Sequence, residues 1–136
     1  MPIKDRATLA APPEDYFRRA DFTAYRIRPL KGRSSDLVMG FVNSLTALSA
    51  ELEGRHYGGG VLELVPSEIE RLLVPVMRHS AAALRRLNTA IRSKVAAEDL
   101  LAGQDRLLLG PLGIRRAECE VFRGAWLRLW KRRQRT

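Results

Sequence analysis

Cysteine, histidine and asparagine are scarce in this 136-residue chain, and each shortage removes a class of chemistry. A single cysteine, Cys119, builds no intrachain disulfide, so nothing calls for an oxidising compartment. Cys119 with only His56 and His79, all far apart in sequence, cannot supply a closed zinc site. With neither histidine close by, Cys119 reads as a small helix residue rather than a nucleophile. The residues two places before the four lysines are Pro2, Pro29, Arg92 and Leu129, so the acid-then-lysine signature of metal-dependent nucleases is missing. Gly58 to Gly60 follow a helical pattern and precede a strand-like one, the wrong order for a phosphate-cradling loop, and no Lys-Ser/Thr follows. No apolar run approaches the length of a membrane span. Met1 to Leu9 contain Lys4, Asp5 and Arg6 and no apolar signal core. The expectation is a soluble, cytoplasmic protein that engages no membrane.

What is present is positive charge. The net charge is +9, and 46% of residues are apolar, enough for one modest core. Residues 1–35 carry eight Lys/Arg against four acids, residues 36–112 eight against nine, and residues 113–136 eight against two. The expected organisation is an irregular basic segment (1–35) with one possible strand, a folded core (36–112), and a basic C-terminal helix and tail (113–136). Positive ends on a nearly neutral middle suit a polyanionic partner, of which nucleic acid is the commonest inside cells. A solvated helix with a basic tail is the plainer alternative.

Periodicity predicts a mainly α fold with a small β element (α+β), amphipathic helices surrounding a short strand pair. Asp21 to Arg28 alternates as a strand would and stops at Pro29. Val38, Phe41, Val42, Leu45, Leu48 and Leu52 predict one amphipathic helix of about four turns, capped by Ser34, Ser35 or Asp36 and stopped at Gly54. Val61 to Val65 is a strand candidate ended by Pro66, and Ser67 with Glu70 matches a capping box for a short helix ending before Pro75. A helix from Ser80 places Leu84, Leu87, Ile91 and Val95 on one face. A second piece, Glu98 to Leu109, is expected to break near Gly103 and close at Gly110-Pro111. The last helix carries a stripe of Val121, Phe122, Ala125, Trp126, Leu129 and Trp130.

Two segments suggest binding. Arg55, His56 and Tyr57 precede Gly58, Gly59 and Gly60; glycines let backbone approach a phosphate or base edge, with Arg55 or His56 donating and Tyr57 stacking. A tight helix-to-strand connection with Tyr57 on the core explains the same residues. In the last helix, Trp126, Leu129 and Trp130 want burial, while Arg128, Lys131, Arg132 and Arg135 lie mostly off the stripe and are free to reach phosphates or a partner. The carboxylate pairs Glu68/Glu70 and Glu98/Asp99 fit helix starts and surface better than catalysis.

Residues 43–75 add more. Asn43-Ser44 opens a helix, Arg55 to Gly60 form a glycine turn, Val61 to Leu64 a strand, then come Pro66-Ser67-Glu68 and Val74-Pro75. Downstream follow Asp105 to Leu109, Leu112-Gly113, and Trp126 to Leu129 before a basic end. This order resembles the C-terminal target-recognition region of adenine-specific (N6) DNA methyltransferases of restriction-modification systems, over about residues 22–133. The resemblance implies a double-stranded DNA partner, with Arg55, His56, Tyr57, Gly58, Gly59, Gly60, Ser67, Arg26 and Arg28 as candidate contacts. Methyl transfer does not carry over. The family's Asn/Asp-Pro-Pro-Tyr/Phe motif is absent, since Asn43 and Asn88 precede Ser and Thr, and Pro12-Pro13 follows Ala11. The resemblance therefore implies no catalytic residue and no cofactor in this stretch, S-adenosylmethionine belonging to a catalytic domain or subunit that would be the second partner. The alternative is a protein–protein module docking on a larger subunit through its helices.

Overall fold

A computed structural model describes residues 32–57 and 60–135. Its described part is mainly α with a small β element: α1 (Ser34–Gly40), α2 (Ser44–Glu53), β1 (Arg55–Tyr57), β2 (Val61–Glu63), α3 (Pro66–Ile69), α4 (Ala81–Arg92), α5 (Ala97–Leu108) and α6 (Arg116–Gln134). The possible strand at Asp21 to Arg28 lies outside the described residues. Among the described residues no helix is long and apolar enough to cross a membrane.

The single helix expected from Val38 to Leu52 is two helices. Asn43 has extended backbone, and its side chain accepts from the Thr46 N–H, which caps α2. Its amide nitrogen donates back to the Gly40 carbonyl at 2.7 Å. The expected caps Ser34, Ser35 and Asp36 lie inside α1, and Arg33 is the N-cap residue. The face of α2 also differs from expectation. Ser44, Thr46, Ser49 and Glu51 are buried while Leu52 is 67% exposed. Burying hydroxyls is tolerable because each finds a partner. Thr46 donates to the Leu73 carbonyl at 2.6 Å, and Ser49 accepts from the Leu73 N–H at 3.2 Å. The irregular chain after α3 is thereby tied along α2.

Arg55–Tyr57, read from sequence as a loop, is itself a strand. It pairs antiparallel with β2, Arg55 opposite Glu63 and Tyr57 opposite Val61. The cap of α3 also shifts. Val65 is the N-cap residue and Pro66 the first helical one, a favoured place for proline, so Ser67 does not cap. Glu68 at the third position accepts from the Val65 N–H at 2.9 Å.

Ser80 does cap α4, accepting from the Ala83 N–H at 3.1 Å. Val95 falls beyond α4 and is 43% exposed. Helix α5 runs unbroken through Gly103. The turn into α6 uses Gly113 at φ +83°, a left-handed conformation that only glycine adopts cheaply.

One apolar centre holds Met39, Ala83 and Leu87, with Val42, Leu84, Ile91 and Leu100 packed around it. It joins α1 to α4 and α5, and burial of Met39 and Leu87 contributes about 1.5–3 kcal/mol each. Leu101, Leu108, Leu109 and Cys119 are also buried. Helix α6 packs along α2 and α5. Its stripe is only partly inward, because Val121 is 65% exposed and Trp130 38%. The Trp126 and Trp130 rings lie 6.3 Å apart at 32°.

Candidate nucleic-acid interface

Three polar clusters fix the helices. In the first, Asp105 on α5 receives the Ser44 N–H at 2.7 Å, the Ser44 hydroxyl at 2.5 Å and Arg123 of α6 at 2.8 Å. Its side chain is 2% exposed and that of Arg123 is 19%. Nearby, Gln104 donates to the Val42 carbonyl at 3.0 Å. The Asn43-Ser44 pair that marks the family resemblance is thus a helix cap and a buried crosslink.

In the second cluster, Arg33 clasps Asp36 through two hydrogen bonds of 3.0 Å, and Asp36 also accepts from the His79 N–H at 2.9 Å. The Arg33 bonds first, then the His79 amide, hold the Asp36 carboxyl below its usual range. The third cluster anchors the hairpin. Buried Glu51 pairs with Arg133 near the end of α6 at 2.6 Å, and His56 Nε2 lies 3.5 Å from the same carboxylate. Arg133 also donates to the Gly60 carbonyl. Gly60 has φ +79°, and a Cβ there would come within 2.6 Å of Gln134 Oε1. Its lack of a side chain therefore serves the docking of α6 against the turn.

The structure brings together part of the candidate contact set. Arg55 and His56 sit side by side on β1, each facing a carboxylate. The Arg55 Nε lies 3.6 Å from Glu68, with the arginine side chain 61% exposed. Ser67 is exposed on α3, while Gly60 is buried. Gly58, Gly59, Arg26 and Arg28 lie outside the described residues, and the side chain of Tyr57 is not described.

Sequence reasoning missed the outer face of α4. Arg85, Arg86, Thr89 and Arg92 are all exposed, opposite the core-facing Ala83, Leu84, Leu87 and Ile91. Arg85, Arg86 and Thr89 line a shallow open groove with Ala82 and Ser93. Arg78 and Lys94, at either side of the helix, are exposed too. Among the described residues, none of these five cations has a carboxylate partner. The available signal was local: residues 71–97 contain six Lys/Arg and no acid, a run hidden when charge is averaged over 36–112.

Cys119 is buried, and burial first, then the Asp105 charge, pushes its thiol pKa up. Such a thiol is a poor nucleophile. Among the described residues no group of three or more His, Cys, Asp or Glu could hold a metal.

No curated protein and no solved structure matches the chain. The family model for the C-terminal domain of the type II methyltransferase M.Eco57I matches residues 20–109, which is 90 of the 136 residues. The match takes in every element from α1 to α5 and stops before α6, whose Arg123 and Arg133 nevertheless close two of the clusters. The chain therefore belongs to the family of the M.Eco57I C-terminal domain, a C-terminal domain of type II methyltransferases.

Proposed function

We propose that this domain binds double-stranded DNA as the target-recognition part of an adenine-specific methyltransferase of a restriction-modification system. Methyl transfer from S-adenosylmethionine then belongs to a catalytic domain or subunit that works with it. The observation that carries this reading is the family membership of a domain whose exposed surface holds many cations that have no acidic partner among the described residues. A methyltransferase must hold duplex DNA while one base is turned out of the stack, and phosphate contacts supply that hold. Arg55 is a candidate contact beside Ser67. The Arg55 side chain is exposed and its contact with the buried Glu68 carboxylate is long, at 3.6 Å, so the guanidinium keeps donors free for a phosphate.

A second reading, docking on a larger subunit, has its own support. Leu107, Leu112 and Val121 are exposed at 41%, 56% and 65%, apolar side chains that a larger subunit would cover. The two readings are compatible, because a recognition domain must also meet its catalytic partner.

The test of DNA binding is fluorescence anisotropy of a labelled random-sequence duplex, titrated with the full chain at roughly 50 and 200 mM salt. Binding that weakens tenfold or more on raising salt is expected. No binding at low salt by the folded protein would overturn the DNA-facing role and leave subunit docking.

A further inference from the structure

The family reading does not say which surface meets DNA. We infer that the outer face of α4, carrying Arg85, Arg86, Thr89 and Arg92 and extended by Arg78 and Lys94, is the principal phosphate-binding surface of this domain for duplex DNA. This assignment rests on the proposed DNA-facing role and adds a site to it.

Many of the cations elsewhere face carboxylates. On the hairpin side, Arg55 faces Glu68 and His56 faces Glu51. On α6, Arg115, Arg116, Arg123 and Arg133 pair with Glu118, Glu120, Asp105 and Glu51. Among the described residues no such pairing exists on α4, nor for Arg128, Lys131, Arg132 and Arg135 toward the end of α6; what sets α4 apart is that no acid occurs in sequence between Glu70 before it and Glu98 at the start of α5. A cluster of like charges without counterions raises the local potential and costs stability, so it needs an outside anion to offset it.

Shape agrees with charge. Arg85 and Arg92 are seven residues apart on one line of the helix, about 10 Å along its axis. A major groove about 12 Å wide admits an α-helix. Ala82, Thr89 and Ser93, which line the groove with Arg85 and Arg86, are short, so a sugar–phosphate strand can lie close to the helix while the guanidiniums reach its oxygens.

The end of α4 supports the same assignment. Lys94 has φ +57°, the one described non-glycine residue with positive φ. Its N–H bonds the Ile91 carbonyl and the Val95 N–H bonds the Ala90 carbonyl, a helix-ending motif in which glycine is the usual left-handed residue. A lysine there keeps a cation at the end of the basic face against a conformational cost.

The experiment compares three full-length proteins by duplex anisotropy at roughly 50 and 200 mM salt: wild type, R85Q/R86Q/R92Q, and K131Q/R132Q/R135Q. Glutamine is a good helix former and, among the described residues, none of the six arginine or lysine side chains has a carboxylate partner, so far-UV circular dichroism should not change. Each lost phosphate contact removes a factor of about 3.5 from the affinity change over this salt range. The α4 variant should therefore lose about 40-fold of the wild-type salt response if all three contacts are made, and the α6 variant less. Wild-type binding with an α4 variant that keeps affinity and salt response would overturn the site while leaving the DNA-facing role intact. Absence of salt-sensitive wild-type binding would overturn both. Preference for an acidic protein or a single strand over the duplex would overturn the choice of ligand.

Discussion

Asp105→Asn is the substitution whose effect follows most directly from the structure. The native carboxylate takes the Ser44 N–H, the Ser44 hydroxyl and Arg123 within 2.8 Å, at a site 2% exposed. Asparagine has the same shape, so no cavity forms. It offers one oxygen and one NH2, so a donor must now face a donor on one side of the amide. Arg123, 19% exposed, keeps its charge and loses its counterion. Removing one partner of a buried pair costs about 3–5 kcal/mol, against a total stability of about 5–15 kcal/mol. By contrast Ser44→Ala removes one hydroxyl bond and should cost about 1 kcal/mol. Urea unfolding followed by circular dichroism measures both. A double variant, Asp105→Asn with Arg123→Met, removes the stranded charge as well. It should be destabilised by at least about 1 kcal/mol less than the sum of the two single variants. An Asp105→Asn protein within about 0.5 kcal/mol of wild type, or strict additivity in the cycle, would refute the buried crosslink between α2, α5 and α6.

Four further outcomes are expected. Lys94→Gly relieves the left-handed backbone at the end of α4 and should raise stability by about 0.5–1 kcal/mol in thermal unfolding, while lowering the slope of log affinity against log salt by about 1. Gly60→Ala should cost about 1–2 kcal/mol from its positive φ, and Gln134→Ala should not restore it, since the backbone strain remains; full rescue would show that the side-chain clash was the whole effect. The Asp36 carboxyl is held below its unfolded value, so its stabilisation is present above about pH 4 and lost as pH falls through the folded value. Asp36→Asn should therefore narrow the stability gap between pH 7 and about pH 3, and an unchanged gap in urea midpoints would contradict the role of the Arg33 clasp. Cys119 should react with a thiol reagent at about pH 8 only as fast as the protein opens, and fast labelling of the native state would contradict its burial.

How far the sequence foretold this depends on the range of the interaction. Helices α4 and α6 were legible because each carries its own periodic face, and Ser80 is a local cap. The break between α1 and α2 was not, since Val38, Phe41, Val42, Leu45 and Leu48 keep three- and four-residue spacing straight across it. Asn43, a strong capping residue in the middle of that run, was the overlooked signal. The polar face of α2 was hidden for another reason. Glu51 is buried because Arg133 arrives from 82 residues away, and Ser44 because Asp105 arrives from 61. Spacing within one helix says nothing about such partners. The glycine turn drew attention as a binding loop, yet Gly60 is explained by left-handed backbone and the approach of Gln134. The α4 surface escaped notice because Glu51, Glu53, Glu63, Glu68 and Glu70 upstream cancel its arginines when charge is summed over the core.

The claim that this methyltransferase-family domain faces DNA is tested most directly by amide chemical-shift mapping of the full 15.3 kDa chain titrated with a short duplex. The expected result is a set of shifts concentrated on residues 81–94, with a second, smaller set around Arg55 and Ser67, all reversed by salt. Shifts confined to the exposed apolar residues Leu107, Leu112 and Val121, or no shifts in a spectrum that shows a folded protein, would contradict it.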